Sequence, residues 1–151
     1  MDSLNETAYC GIYCPDCMHY KNSYSVHAQK LIDELKNIEF HRYAEINSGF
    51  RADFKNYNVF FEVLYSLAGV KCDNTCRVGG GCSGKPCKIM ECCLSNGYEG
   101  CWECNELVTC DKFDILEPLC GEMPKNNLKI IKEHGILRWV ELRDKFYVWQ
   151  R

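Results

Sequence analysis

The sequence has no surplus of positive charge. Its 18 Lys and Arg stand against 21 Asp and Glu, a formal net charge of −3 over 151 residues. Surfaces that neutralise phosphates are basic, so nucleic acid is not the expected partner. Long apolar runs are also missing. The most apolar stretch, Val59 to Val70, is short and carries Glu62, so no membrane span is expected. The opening MDSLNETAYC lacks the basic and apolar regions of a secretory signal, and a cytoplasmic setting is expected. No Ser–His–Asp ordering, P-loop or Rossmann fingerprint is found. Gly79-Gly80-Gly81 has no Lys-Ser/Thr after it, which excludes a phosphate cradle. No repeat and almost no strand can be read.

Helical spacing is present instead. Ser23 or Ser25 can cap a helix to about Ile38 with apolar positions Ala28, Leu31, Ile32 and Leu35, and it can run on through Tyr43 and Ile46. A second helix is expected from Tyr57 or Asn58 to Ala68, with Val59, Phe60, Val63, Leu64 and Leu67 as its core stripe. Pro86 suits the start of a helix ending at Asn96-Gly97. Further helices are expected over 109–119, from Pro124 to His134, and from Ile136 to Trp149. Hydrophobic residues make up 46% of the chain, enough for a real core. The expectation is therefore a single, mainly α domain over 1–151 with little or no β structure. Its Cys-rich region would be 72–110 plus 10–17, and its C-terminal helices 124–150. From Lys125 to Arg151, seven bases face three acids, which reads as a solvated helix face.

The unusual component is cysteine. The chain has 13, and nine of them fall between Cys72 and Cys110. Reducing compartments keep thiols free, and an odd number cannot pair completely within one chain. Thiols this dense suit Zn²⁺ or iron–sulfur chemistry, which takes thiolates in sets of about four. Cys101-Trp-Glu-Cys104 and Cys14-Pro-Asp-Cys17 have the spacing of knuckles, in which a tight turn faces two thiolates toward one ion. Pro15 can open a short helix with Cys14 at its cap, and Cys10 can join one turn earlier. Cys87 and Cys92 would point about 140° apart on a regular helix, so they share no ion unless Cys87 lies in the entry turn. Cys92 and Cys93 are neighbours, and only one should face a given ion. Cys72, Cys76 and Cys82 surround the glycine loop. His27, His41 and His134 read as surface groups, and His19, two residues past Cys17, is the one imidazole close to thiols.

The segment Cys10-Gly-Ile-Tyr-Cys14-Pro-Asp-Cys17 resembles the CGLYC-type opening of an uncharacterised, mostly prokaryotic Cys-rich family, domain of unknown function 3795. The order of later elements is similar: the Phe60–Ala68 helix, Cys72 to Arg77 with Gly79-Gly80-Gly81, Cys87-Lys-Ile-Met-Glu-Cys92, Cys101-x-x-Cys104, Cys110, and Asn127 to Gly135 with Trp139 after it. The resemblance implies metal ligation at Cys10, Cys14, Cys17, Cys72, Cys76, Cys82, Cys87, Cys92, Cys101, Cys104 and Cys110, and implies no activity. Two departures stand out. Cys72 and Cys76 are separated by three residues where two are common, and Met90 stands where Arg is frequent.

The leading expectation is a metal-binding protein with two or more structural Zn²⁺ ions, working by contact with another protein. One alternative is an iron–sulfur electron carrier or redox sensor. Another is a zinc enzyme with an open coordination position and Glu103 or Glu106 as acid or base. Oligomeric state, substrate and partner are not set by the sequence.

Overall fold

The computed structural model describes residues 3–81 and 87–150. Residues 82–86, with Cys82 and the expected helix start at Pro86, lie outside the described residues. The chain is mainly α. Among the described residues there is no strand, only isolated bridges joining Thr7 to Tyr13 and Tyr20 to Cys72. No described helix is long and apolar enough to cross a membrane. Contacts divide the chain into two compact units. Unit one holds the chain up to Tyr20 and from Cys72 onward, and unit two is Lys21–Lys71.

Unit one begins with α1 (Ser3–Glu6) and a tight loop, followed by a 3₁₀ turn at Cys14–Asp16. The loop is closed by Ala8 N–H donating to the Ile12 carbonyl at 2.8 Å. Gly11 has φ +83° there. A Cβ at this position would lie 2.7 Å from the Pro124 carbonyl and 2.8 Å from Leu128 Cγ. The Gly11 carbonyl accepts from buried Asn127 Nδ2 at 2.9 Å, so this loop is pinned across 116 residues of chain. Gly11→Ala combines left-handed strain with overpacking of a buried contact. It is expected to cost about 2–4 kcal/mol, read as a lowered denaturant midpoint at unchanged slope.

Unit two contains α2 (Tyr24–Asn37), α3 (Phe40–Asn47) and α4 (Tyr57–Gly69). Its start is capped neither by Ser23 nor by Ser25. Asn22 Oδ1 accepts from the Ser25 N–H at 3.0 Å instead, while Asn22 Nδ2 donates to the Val70 carbonyl at 2.7 Å. The run through Tyr43 is broken at Glu39, whose φ of +51° separates α2 from α3. Ala28 and Ile32 of α2 pack on Leu64 of α4, with Leu35, Phe61 and Ala68 around them. The expected α4 stripe is thus rotated: Val59, Phe60 and Val63 are exposed. An almost wholly apolar helix leaves its own inward face undecided, and the spacing of the α2 side chains selects Phe61, Leu64 and Ala68.

Returning to unit one, α5 (Lys88–Ser95) is followed by 3₁₀ turns at Cys101–Glu103, Leu107–Thr109 and Asp111–Leu116. Then come α6 (Glu117–Cys120), α7 (Met123–His134) and α8 (Trp139–Leu142). The continuous helix expected over 109–119 is absent because Pro118 cannot donate inside a helix and sits instead in the first turn of α6. The helix expected from Ile136 to Trp149 ends at Leu142. Asp144 is held by Asn127 through its N–H at 2.8 Å, and Arg143 is turned toward Asp16. The core gathers Ile89, Cys93, Phe113, Leu128, Ile131 and Trp139, with Tyr13 edge-on to Trp139 at 5.9 Å.

Candidate metal centre

The 12 described cysteines are all free thiols. They sort into two groups, each drawn from distant parts of the chain.

The upstream group joins Cys14 and Cys17 to Cys72 and Cys76. The chain leaves unit one at Tyr20 and returns at Cys72, whose N–H donates to the His19 carbonyl at 2.9 Å, so the two cysteine pairs are brought side by side. The Cys14–Cys17 turn forms as its spacing implies, with the Cys17 N–H on the Cys14 carbonyl at 3.0 Å and Pro15 in the first turn. Burial pushes the Cys14 thiol up to about 11, against a lowering by the Cys76 peptide N–H that points at its sulfur, and Cys76, Cys17 and Cys72 lie close enough to raise it further. Burial also raises Cys76, whose sulfur receives the Tyr9 peptide N–H and has Cys87 and Cys72 nearby. Cys87 caps α5 in an extended conformation, which frees it from the helix and turns it to this group. Cys120 is buried near Cys17, its thiol raised to about 11 chiefly by burial.

The knuckle itself is clamped from the C-terminal side. Arg143 donates from Nε and Nη2 to the two Asp16 carboxylate oxygens at 2.6 and 2.8 Å, and its guanidinium lies 4.4 Å from the centre of the Tyr13 ring. The largely buried fork holds Arg143 above its usual pKa, first through the Asp16 hydrogen bond.

The downstream group is Cys92, Cys93, Cys101, Cys104 and Cys110, lining a cleft of about 30 Å³ with Tyr98 and Lys112. The helix α5 ends as expected at Asn96-Gly97. Tyr98 N–H donates to the Cys93 carbonyl at 2.9 Å and Gly97 N–H to Leu94 at 3.2 Å, a Schellman turn with Gly97 at φ +69°. That reversal carries Cys101 back over Cys93, their sulfurs 3.4 Å apart. Cys101-x-x-Cys104 repeats the turn of the first knuckle, with Cys104 N–H on the Cys101 carbonyl at 3.1 Å, and Glu106 N–H donates to Cys104 Sγ at 3.4 Å. The close pair gives up its first proton readily and its second reluctantly. A hydrogen bond from Cys101 lowers Cys93, and the same bond raises Cys101. The thiols of Cys110 and Cys92 raise the pKa of half-exposed Lys112. Cys10 is close to Cys101. Cys87 lies by the upstream group and Cys92 in the downstream one, and because Cys87 is in the entry turn the angle of a regular helix does not apply to the pair.

Arg77 entered the sequence reading only as the end of the Cys72–Arg77 element. Its guanidinium lies 4.4 Å from the Tyr9 ring and 5.6 Å from the Trp102 ring, and it donates to the Thr7 and Glu99 carbonyls at 2.7 and 2.6 Å. Its charge opposes the rise that burial gives Cys76 and adds to the lowering that the Cys101 hydrogen bond gives Cys93, so one cation faces both groups. Only its position after Cys76 hinted at this. Glu103, considered as an acid or base, accepts the Glu99 N–H at 2.7 Å and is occupied in bracing the turn.

Among the described residues, no three His, Cys, Asp or Glu side chains stand close enough together to hold a metal ion as they are placed. The donor set is nevertheless chemically suited to a soft or borderline cation, being all thiol with peptide N–H groups on several sulfurs. No curated protein and no solved structure matches the chain. The family model described as "Protein of unknown function (DUF3795)" matches residues 6–115, which span the loop at Gly11, both knuckles and both thiol groups except Cys120, and the chain belongs to that family.

Proposed function

We propose that the protein binds zinc as a structural metal at two thiolate sites, and that it works by contact with another protein. The upstream site draws on Cys14, Cys17, Cys72 and Cys76, with Cys87 beside them, and Cys82, outside the described residues, is a ligand on the family resemblance alone. The downstream site draws on Cys92, Cys101, Cys104 and Cys110, with Cys10 adjacent. The observation that carries the reading is the sorting of the cysteines into two groups of at least four thiols each. Four thiolates complete a structural zinc site. Loading would draw the sulfurs inward and expel their protons, so affinity rises with pH.

The two acids considered for a zinc enzyme are placed against that alternative. Glu103 is engaged by backbone, and Glu106 is exposed. The contact role is supported by the exposed Val59, Phe60 and Val63 of α4.

Elemental analysis and an absorption spectrum of protein purified without oxygen test the proposal. About two zinc ions per chain and no visible absorbance are expected. A monodisperse protein with less than about half an equivalent of any metal overturns it, and a brown protein that bleaches in air replaces zinc with an iron–sulfur cluster.

A further inference from the structure

The downstream group holds more thiols than one ion uses. Cys93 is the surplus one nearest the knuckle. Its sulfur lies 3.4 Å from Cys101 Sγ, and both side chains are buried, at 2% and 8% exposure. The backbone fixes the pair from both sides. Cys93 is in the last turn of α5, its carbonyl taken by Tyr98, and the Cys101 N–H donates to the Tyr9 carbonyl at 3.0 Å. A disulfide needs the sulfurs about 2.05 Å apart, a closure that side-chain rotation supplies when the thiols already touch. Both sulfurs line the same cleft of about 30 Å³, which admits a molecule of peroxide size.

We propose that Cys93 and Cys101 form an oxidation site for hydrogen peroxide, and that closing their disulfide withdraws Cys101 from the downstream ion. The Cys93 thiolate attacks one peroxide oxygen and the O–O bond breaks. Cys93 becomes a sulfenic acid and hydroxide leaves, taking up the thiol's proton as water. Cys101 then attacks the Cys93 sulfur, the S–O bond breaks, and a second water departs. The net reaction is two thiols and one peroxide giving one disulfide and two waters, with two electrons passing from sulfur to oxygen. Only the release of an ion rests on the zinc reading, and the disulfide itself does not.

The test treats zinc-loaded full-length protein with hydrogen peroxide. Remaining thiols are alkylated, the disulfide is mapped by mass spectrometry, and free zinc is followed with a chromophoric chelator. A Cys93–Cys101 link is expected before any other, with release of about one zinc ion and recovery on reduction with dithiothreitol. Cys93→Ala retains both ions before treatment and releases the downstream one about tenfold more slowly, and Cys93→Ser checks that the effect is not one of packing. Alkylatable Cys93 and Cys101 while other thiols oxidise, or release from Cys93→Ala at the wild-type rate, overturns the inference. If the wild type carries no metal, the zinc reading fails, and the disulfide map alone still decides this one.

Discussion

If the thiol groups hold zinc as proposed, chelation is expected to unfold the thiol region of unit one and to leave the helices of unit two in place. The Cys101–Cys104 turn, the 3₁₀ turns that follow and the segment from Cys72 to Gly81 have few hydrogen-bonded helical residues of their own. Apart from buried Trp102, Leu107 and Phe113 they bring little apolar material. A structural zinc site contributes about 10 kcal/mol or more to folding, a large amount beside the stability of an ordinary domain. Losing it therefore dominates anything the local packing retains. In unit two, Ala28, Ile32 and Leu64 form a separate core, and an aromatic group of Phe40, Phe54, Tyr57 and Phe61 packs beside it without a thiol. Hydrogen exchange read by peptide should show protection lost over 88–113 and kept over 24–37 and 57–69. Circular dichroism should fall only in part. Retention of protection at Cys101–Cys110 after complete metal removal would show that the metal does not hold this region.

What could be read in advance follows from the range of the interactions involved. The two Cys-x-x-Cys turns were legible because they are local: one backbone hydrogen bond closes Cys14 to Cys17 and another Cys101 to Cys104. The α5 terminus was legible for the same reason, since Gly97 supplies the left-handed residue the Schellman turn requires. The helix α2 was legible through Ala28, Ile32 and Leu35, and only its capping residue shifted to Asn22. The inward face of α4 was not, because apolar residues surround the helix and the partner decides. Nor was the end of α8. Arg143 and Asp144 are extended because Asp16 and Asn127 hold them, 127 and 17 residues away. The allocation of thiols is a tertiary property of the same kind. The Gly11 loop brings Cys10 close to Cys101, and the Tyr20–Cys72 bridge delivers Cys72 and Cys76 to Cys14.

That allocation makes the sharpest test a substitution in each group. Cys104→Ser is expected to lose one ion and Cys14→Ser the other, with several kcal/mol of destabilisation each. Each loss leaves the remaining thiolates of its site without a neutralising charge. The double variant should hold no metal, because the two groups share no sulfur in the proposed assignment. Cys120 is the informative control. It is buried near Cys17, but it lies ten residues past Cys110, the last of the dense run, and is expected to pack as a small apolar side chain. Cys120→Ala should therefore keep both ions and cost about 1 kcal/mol, a packing loss alone. Metal per chain measured on the folded, size-separated fraction of each variant decides the matter. If Cys14→Ser or Cys104→Ser alone empties both sites, the two groups form one linked cluster. If Cys120→Ala loses as much metal as Cys104→Ser, then Cys120 is a ligand of the upstream ion, and its burial beside Cys17 is coordination rather than packing.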